Sequence, residues 1–327
     1  MEPKYTLFYL FGQPVTLFSL CIALAVAAGL LLIRREQKKM GLRADTTEIF
    51  ALLSIPLGLI GGRIVYCLVN FRLYLLDLGV AEVFRLWNGG YALLGIALGG
   101  ALAAWLTARI TRQSPAKILD MIAAPSALMI ALCRFAEWTS GQGTSQNEVE
   151  IAFFQRFPFA VFDAEWEIWF WAIFMLEGVT AWIIALLLQS KKAPASPGGK
   201  AKMLVILMCC TQILFEMFRR DALVLDPWFI RITQVGALAL LVMVMLGALI
   251  RWKKLKKNQR MSSLKMLLNW LAFLICAGIN IWMQFAVQKS ADLPAWACYA
   301  IMGITCIAFG LIAYRVMFRY QIQKQAE

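Results

Sequence analysis

VTLFSLCIALAVAAGLLLI, residues 15–33, followed at once by RREQKK, residues 34–39, is the stretch that decides the fold. The first part carries no charge and has the length a membrane span needs, about 20 mostly apolar residues. It is too long for a signal-peptide core and shows no small-residue cleavage site. Its basic run follows the apolar run, whereas a signal peptide has the reverse order. We therefore read it as a retained membrane helix with its basic flank on the cytoplasmic side.

The same reading extends along the chain. Eight further apolar segments qualify as spans, at about 48–68, 90–110, 118–135, 168–189, 202–218, 228–250, 266–287 and 295–314. With the N-terminus outside, the inside loops hold Arg34, Arg35, Lys38, Lys39 and Arg43, then Arg109, Arg112 and Lys117, then Lys191, Lys192, Lys200 and Lys202. The fourth inside loop holds Arg251, Lys253, Lys254, Lys256, Lys257, Arg260 and Lys265, and the tail Arg315, Arg319 and Lys324. Most of the 32 Lys and Arg residues thus fall on one side. The expectation is an all-α, polytopic transmembrane helical bundle of about nine spans, N-terminus outside and C-terminus cytoplasmic.

Composition agrees. Of 327 residues, 61% are hydrophobic and 16% charged, against roughly a quarter charged in soluble domains. Net charge is +13, but the basic residues sit in short runs between apolar segments, where they orient helices. Nucleic acid is not an expected partner; membrane lipids are. The eight cysteines form no CxxC pair and lie mostly in apolar runs, as small buried hydrophobes do. The chain has no histidine, so neither a metal nor another cofactor is expected.

Between spans, residues 70–88 mix apolar and charged positions as an interfacial segment would. Residues 139–167 are polar and acidic, and 193–200 read as a flexible linker. Trp87-Asn88-Gly89-Gly90-Tyr91 leads into Gly95 and Gly99, whose spacing suits close helix packing. The Gly89-Gly90 pair suggests a tight turn where backbone approaches a ligand.

Four arginines break the inside bias at outer helix ends: Arg63, Arg134, Arg219 and Arg220. Each could snorkel to the interface; together they suit a lipid phosphate, which guanidinium groups grip by a two-pronged hydrogen bond. Carboxylates accompany them, Glu137 one turn past Arg134, Glu216 one turn before Arg219, and Asp221 directly after Arg220. Two readings stay open here: local ion pairs, or Glu137 or Glu216 as a proton acceptor. Glu177 and Asp120 stand within apolar helices.

At these segments the chain resembles the prolipoprotein diacylglyceryl transferases of bacterial plasma membranes, over about residues 1–250. The pieces occur in family order: Gly62-Arg63 with Tyr66, the Trp87-x-Gly89-Gly90 turn, Arg134 leading to Ser140-Gly141, Glu177, Glu216-Met217-Phe218-Arg219 with Asp221, and Ile232-Thr233-Gln234. The resemblance implies transfer of a diacylglyceryl group from phosphatidylglycerol to the lipobox cysteine of a prolipoprotein at the outer face. Arg134 and Glu216 are the catalytic candidates on that resemblance, with Glu137, one turn past Arg134, as the replacement base where the family histidine is absent. Arg63, Tyr66, Trp87, Gly89, Gly90, Gly141, Arg219, Arg220 and Gln234 would bind substrate, with Arg63, Arg134 and Arg219 converging on the phosphate. The family's His-Gly-Gly falls at Leu94-Gly95-Ile96 and its signature asparagine at Glu137, while Gln212 stands where it has a further arginine. Residues 251–327 add a basic loop, two helices and a short tail. A catalytically inactive paralogue that binds phospholipid or lipoprotein is the alternative.

Overall fold

A computed structural model describes residues 5–190, 193–225, 230–254, 262–289 and 294–322. The basic positions Lys191, Lys192, Lys256, Lys257, Arg260 and Lys324 lie outside the described residues. The protein is mostly helical, 73%, and seven described helices are long and apolar enough to cross a membrane. The chain divides into two compact units, Met1–Leu204 with Phe218–Thr233, and Val205–Met217 with Gln234–Glu327. This division falls elsewhere than residue 250, and the first unit takes back residues 218–233 after the second has begun.

In the first unit, α1 (Leu17–Lys39) begins at a reciprocal cap between Thr16 and Ser19. It packs on α2 (Thr46–Val69) and on α5 (Pro115–Ala136). α4 (Leu93–Thr111) lies along α2, and α6 (Ile173–Gln189) along α5. The α2–α4 contact is backbone against backbone. A Cβ on Gly95 would strike the carbonyl of Gly61, and one on Gly99 the carbonyl of Leu57. The small residues therefore pack, as their spacing suggested. Ile33, Phe50, Ala104, Ala108, Ile118 and Met121 close the core among α1, α2, α4 and α5. Pro56 and Pro125 sit inside α2 and α5, as membrane helices tolerate.

One expected span, 168–189, comes out short, while the sixth, 202–218, keeps its 17 residues as α7 (Gly199–Phe215). Helix α6 likewise has 17 residues, about 26 Å at 1.5 Å per residue, against a hydrocarbon core about 30 Å thick. The cause lies at the start of α6. Residues 168–172, read from the sequence as helix, form strand β5 (Ile168–Ala172), whose Ile, Trp and Phe side chains favour a pleated surface. With β3 (Thr144–Glu148) and β4 (Ala160–Asp163) it builds an antiparallel sheet in the order β3-β5-β4. The all-α expectation is corrected there: the polar, acidic stretch is partly a sheet. Further hairpins are β1 (Thr6–Leu10) with β2 (Gln13–Thr16), and β6 (Val224–Leu225) with β7 (Ile230–Arg231). Residues 71–88 form short helical turns, the first of them α3 (Phe71–Leu73), with Phe71, Leu75, Leu76, Leu78 and Phe84 exposed.

The second unit holds most of α7, α8 (Ile232–Lys254) from Gln234, α9 (Ser263–Lys289) and α10 (Ala295–Ile322). α9 and α10 pack together, with Phe273 and Phe309 edge to face and Asn280 donating to Thr305 Oγ1 at 2.6 Å. In hydrocarbon, a polar side chain satisfied across a helix pair holds it together.

Candidate active site

Arg134 stands in the last turn of α5, and the chain then tightens into a single 3-10 turn, Glu137–Thr139. That turn aims the Glu137 carboxylate back at Arg134, with Nη1 donating to Oε1 at 2.5 Å. Glu177, one turn into α6, reaches the same place: Arg134 Nε lies 3.2 Å from its Oε2. Two helices thus bring one guanidinium and two carboxylates together, all largely out of water.

A second guanidinium arrives from a different direction. After α7 the chain meets β3 through one antiparallel bridge, Arg219 opposite Ser145, with Gln146 N–H donating to the Phe218 carbonyl at 3.1 Å and Arg220 N–H to the Thr144 carbonyl at 2.9 Å. Successive side chains of an extended strand point to opposite sides. Arg219 therefore turns inward and Arg220 outward. Arg219 Nη1 donates to Glu137 Oε2 at 3.1 Å and to Glu177 Oε2 at 2.5 Å, while its Nε and Nη2 hold Asp221 at 3.0 and 2.8 Å. Arg220 instead lies over the Phe170 ring, 4.8 Å from its centroid, and 3.4 Å from Asp163.

Three carboxylates thus surround two guanidinium groups. Burial lowers the Arg219 pKa, but the charges of Glu177, Glu137 and Asp221 raise it more, so the guanidinium stays protonated. Burial alone would raise the Asp221 pKa; the Arg219 charge and its hydrogen bonds, with the Gly143 N–H, hold it below the usual carboxylate range. The two arginines differ in reserve. Arg134 keeps 13% of its side chain accessible, and its Nη2 has no hydrogen bond among the described residues; Arg219 keeps 8% and uses all three nitrogens.

Gly143 joins the pieces and is the residue that sequence reasoning missed. Its N–H donates to Asp221 Oδ2 at 3.1 Å, and its carbonyl accepts from Phe174 N–H at 3.0 Å at the start of α6. Its φ is +71°, and a Cβ would overlap Glu137 Oε2. Only glycine leaves that carboxylate room. A Gly-x-Gly sequence, Gly141-Gln142-Gly143, was the available signal.

The remaining candidates fall elsewhere. Arg63 is buried, and its guanidinium is taken by main-chain carbonyls. It donates to Glu82 at 2.6 Å, to Val83 at 3.1 Å and to Gly89, with the Tyr74 ring 5.4 Å away. The expected convergence of three arginines reduces to two, because the carbonyls of the 80–90 segment occupy the third. Gly90, at φ +74°, packs on Tyr66: a Cβ there would come within 2.6 Å of its ring. Trp87 is exposed, Gly141 turns the chain at φ +72°, and Leu94 lies in the first turn of α4. Glu216 and Gln234 belong to the second unit, where both are buried and Gln234 Nε2 donates to the Ile213 carbonyl at 2.9 Å.

A family model described as prolipoprotein diacylglyceryl transferase matches residues 5–252. A phosphatidylglycerol–prolipoprotein diacylglyceryl transferase of Clostridioides difficile is 25% identical over 256 residues, 77% of this chain and 96% of that protein. Proteins of the same name from Nocardia farcinica and Frankia alni are 29% and 30% identical over 138 residues. Those two alignments take in 42% of this chain, and the chain spans only 28% and 37% of the two relatives' lengths.

Proposed function

The chain belongs to the prolipoprotein diacylglyceryl transferase family, and from that premise we propose that it moves a diacylglyceryl group from phosphatidylglycerol to the lipobox cysteine of a prolipoprotein. The reaction takes place at the outer face of a bacterial plasma membrane. There the Lys/Arg bias of the loops between the nine apolar segments favours an N-terminus outside and a C-terminus in the cytoplasm. The observation that carries the reading is the pair of buried guanidinium groups bridged by Glu137 and Glu177.

Arg134 receives the phosphodiester. Its Nη2 is the donor available, and it is the more accessible of the two arginines. Arg219, clamped by Asp221, holds Glu137 and Glu177 in place. When Arg134 turns to the phosphate, Glu137 Oε1 loses its partner and accepts the acceptor thiol's proton. A free thiol of pKa about 8.5 needs such a base near neutrality. The thiolate attacks the glyceryl carbon, the carbon–oxygen bond breaks, and the electron pair leaves on glycerol phosphate. Arg134 stabilises the charge gathering there, and Glu137 returns its proton to that phosphate. Gly141 and Arg220 line the approach; Tyr66, Trp87, Gly89 and Gly90 border the lipid; Arg63 positions that border.

Leu94 and Glu137, standing where the family has histidine and asparagine, favour one second reading, a paralogue that binds phospholipid or lipoprotein without turning it over. Complementation decides between them. A bacterial strain depleted of its own transferase should grow and process its lipoproteins when given this chain. Stable expression in the membrane without processing would overturn the transferase reading.

A further inference from the structure

The β1–β2 hairpin carries no charge from Tyr5 to Thr16, and its strands pair Phe8 with Val15, Tyr9 with Pro14 and Leu10 with Gln13. A hairpin lying on a protein surface buries one face and exposes the other, so its exposure alternates along each strand. Here Leu7, Phe8, Tyr9 and Leu10 are all exposed in succession, and Phe11 at the turn is 96% exposed. Phe11 also has φ +50°, uncommon for a bulky residue. A two-stranded hairpin is at best marginally stable alone in water, and one apolar on both faces calls for an apolar surrounding.

The hairpin's place names that surrounding. Leu17 N–H, the start of α1, donates to the Tyr5 carbonyl at 3.0 Å, so the hairpin is fixed at the mouth of a membrane span. Its outer strand edges keep peptide groups unpaired by the sheet, and these bar it from the hydrocarbon centre. Aromatic side chains beside polar backbone suit headgroup depth. We propose that residues 6–16 are an interfacial anchor, inserted at the headgroup–acyl boundary beside the entry of α1. The Tyr5 ring lies 6.4 Å from Trp138, next to Glu137, so the anchor holds that end of the first unit at the lipid surface.

The test does not depend on the transferase reading. An environment-sensitive fluorophore is attached to Phe11→Cys and, separately, to Phe8→Cys, in protein reconstituted into phosphatidylglycerol–phosphatidylcholine vesicles. The parent protein labelled in parallel gives the background from native cysteines, and matching melting temperatures show that both variants fold. Lipids brominated near the headgroup should quench the probe about twofold more than lipids brominated near the chain end, with aqueous iodide giving little quenching. Iodide quenching without lipid quenching would place the hairpin in water and overturn the proposal. So would protection that depends on the protein-to-lipid ratio, which indicates a second copy, or protection that arises only on adding a lipobox peptide, which indicates an acceptor dock.

Discussion

Gly141 and Gly143 share nearly the same backbone angle, φ +72° and +71°, yet differ in what surrounds them. An alanine at either pays the left-handed strain of an L-residue, about 1–2 kcal/mol. At Gly141 nothing lies within 4 Å of the added Cβ, so that strain is the whole cost. At Gly143 the Cβ also overlaps Glu137 Oε2, comes 2.8 Å from Phe174 Cβ and 3.4 Å from Arg219 Nη1. The α6 start cannot give way easily, so the Glu137 carboxylate must leave its guanidinium partners. Losing one partner of a buried pair costs about 3–5 kcal/mol, for a total of about 4–7 kcal/mol against about 1–2 at Gly141. At about 2 °C per kcal/mol, the expected falls in melting temperature are about 8–14 °C for Gly143→Ala and about 2–4 °C for Gly141→Ala. Intrinsic tryptophan fluorescence in detergent reports the transition. Equal melting temperatures for the two variants would refute the claim that Gly143 exists to seat Glu137.

Arg134→Lys replaces a fork that reaches both Glu137 and Glu177 with a point charge, so turnover should drop about 10- to 100-fold; a fall of less than twofold would remove Arg134 from the phosphate site. Asp221 has a folded pKa below its unfolded value of about 3.9, so its stabilisation is present above that pH and is lost as pH falls through the folded value. Asp221→Asn should therefore flatten the loss of thermal stability below about pH 4, and an unchanged acid slope would show that Arg219 does not depend on it. Arg63→Ala strips the donor from the carbonyls of Glu82, Val83 and Gly89, so limited proteolysis within 74–90 should speed up roughly tenfold; unchanged cutting would mean the segment is held by other contacts.

Membrane character was legible because apolar length and basic flanks are composition, and composition needs no partner. The first four expected spans lie within a few residues of α1, α2, α4 and α5. Residues 168–172 were not legible: Ile-Trp-Phe-Trp-Ala is as apolar as the helix it precedes, and only pairing with β3 and β4 makes it a strand. Arg134 and Arg219 were found because they stand on the wrong side of the charge bias. That Arg219 enters the cluster while Arg220 leaves it follows from the pairing of 218–220 with Thr144 and Gln146, distant in sequence. Arg63 looked the same as these two from the sequence, since main-chain carbonyls, its partners, carry no sequence signature. Gly143 shows in the sequence as half of a Gly-x-Gly, but its positive φ and the Glu137 carboxylate against its Cα come only from the folded chain.

The most direct measurement is turnover by the purified chain in vesicles containing phosphatidylglycerol and a lipobox peptide, read as thioether-linked diacylglyceryl peptide and released glycerol phosphate. The account predicts the two products in equal amounts, at a rate that Glu137→Gln lowers by at least about 100-fold. Product formed at the parent rate by Glu137→Gln would take the base away from Glu137. No product at all, with phosphatidylglycerol still bound, would contradict the account at its centre and leave a lipid-binding paralogue.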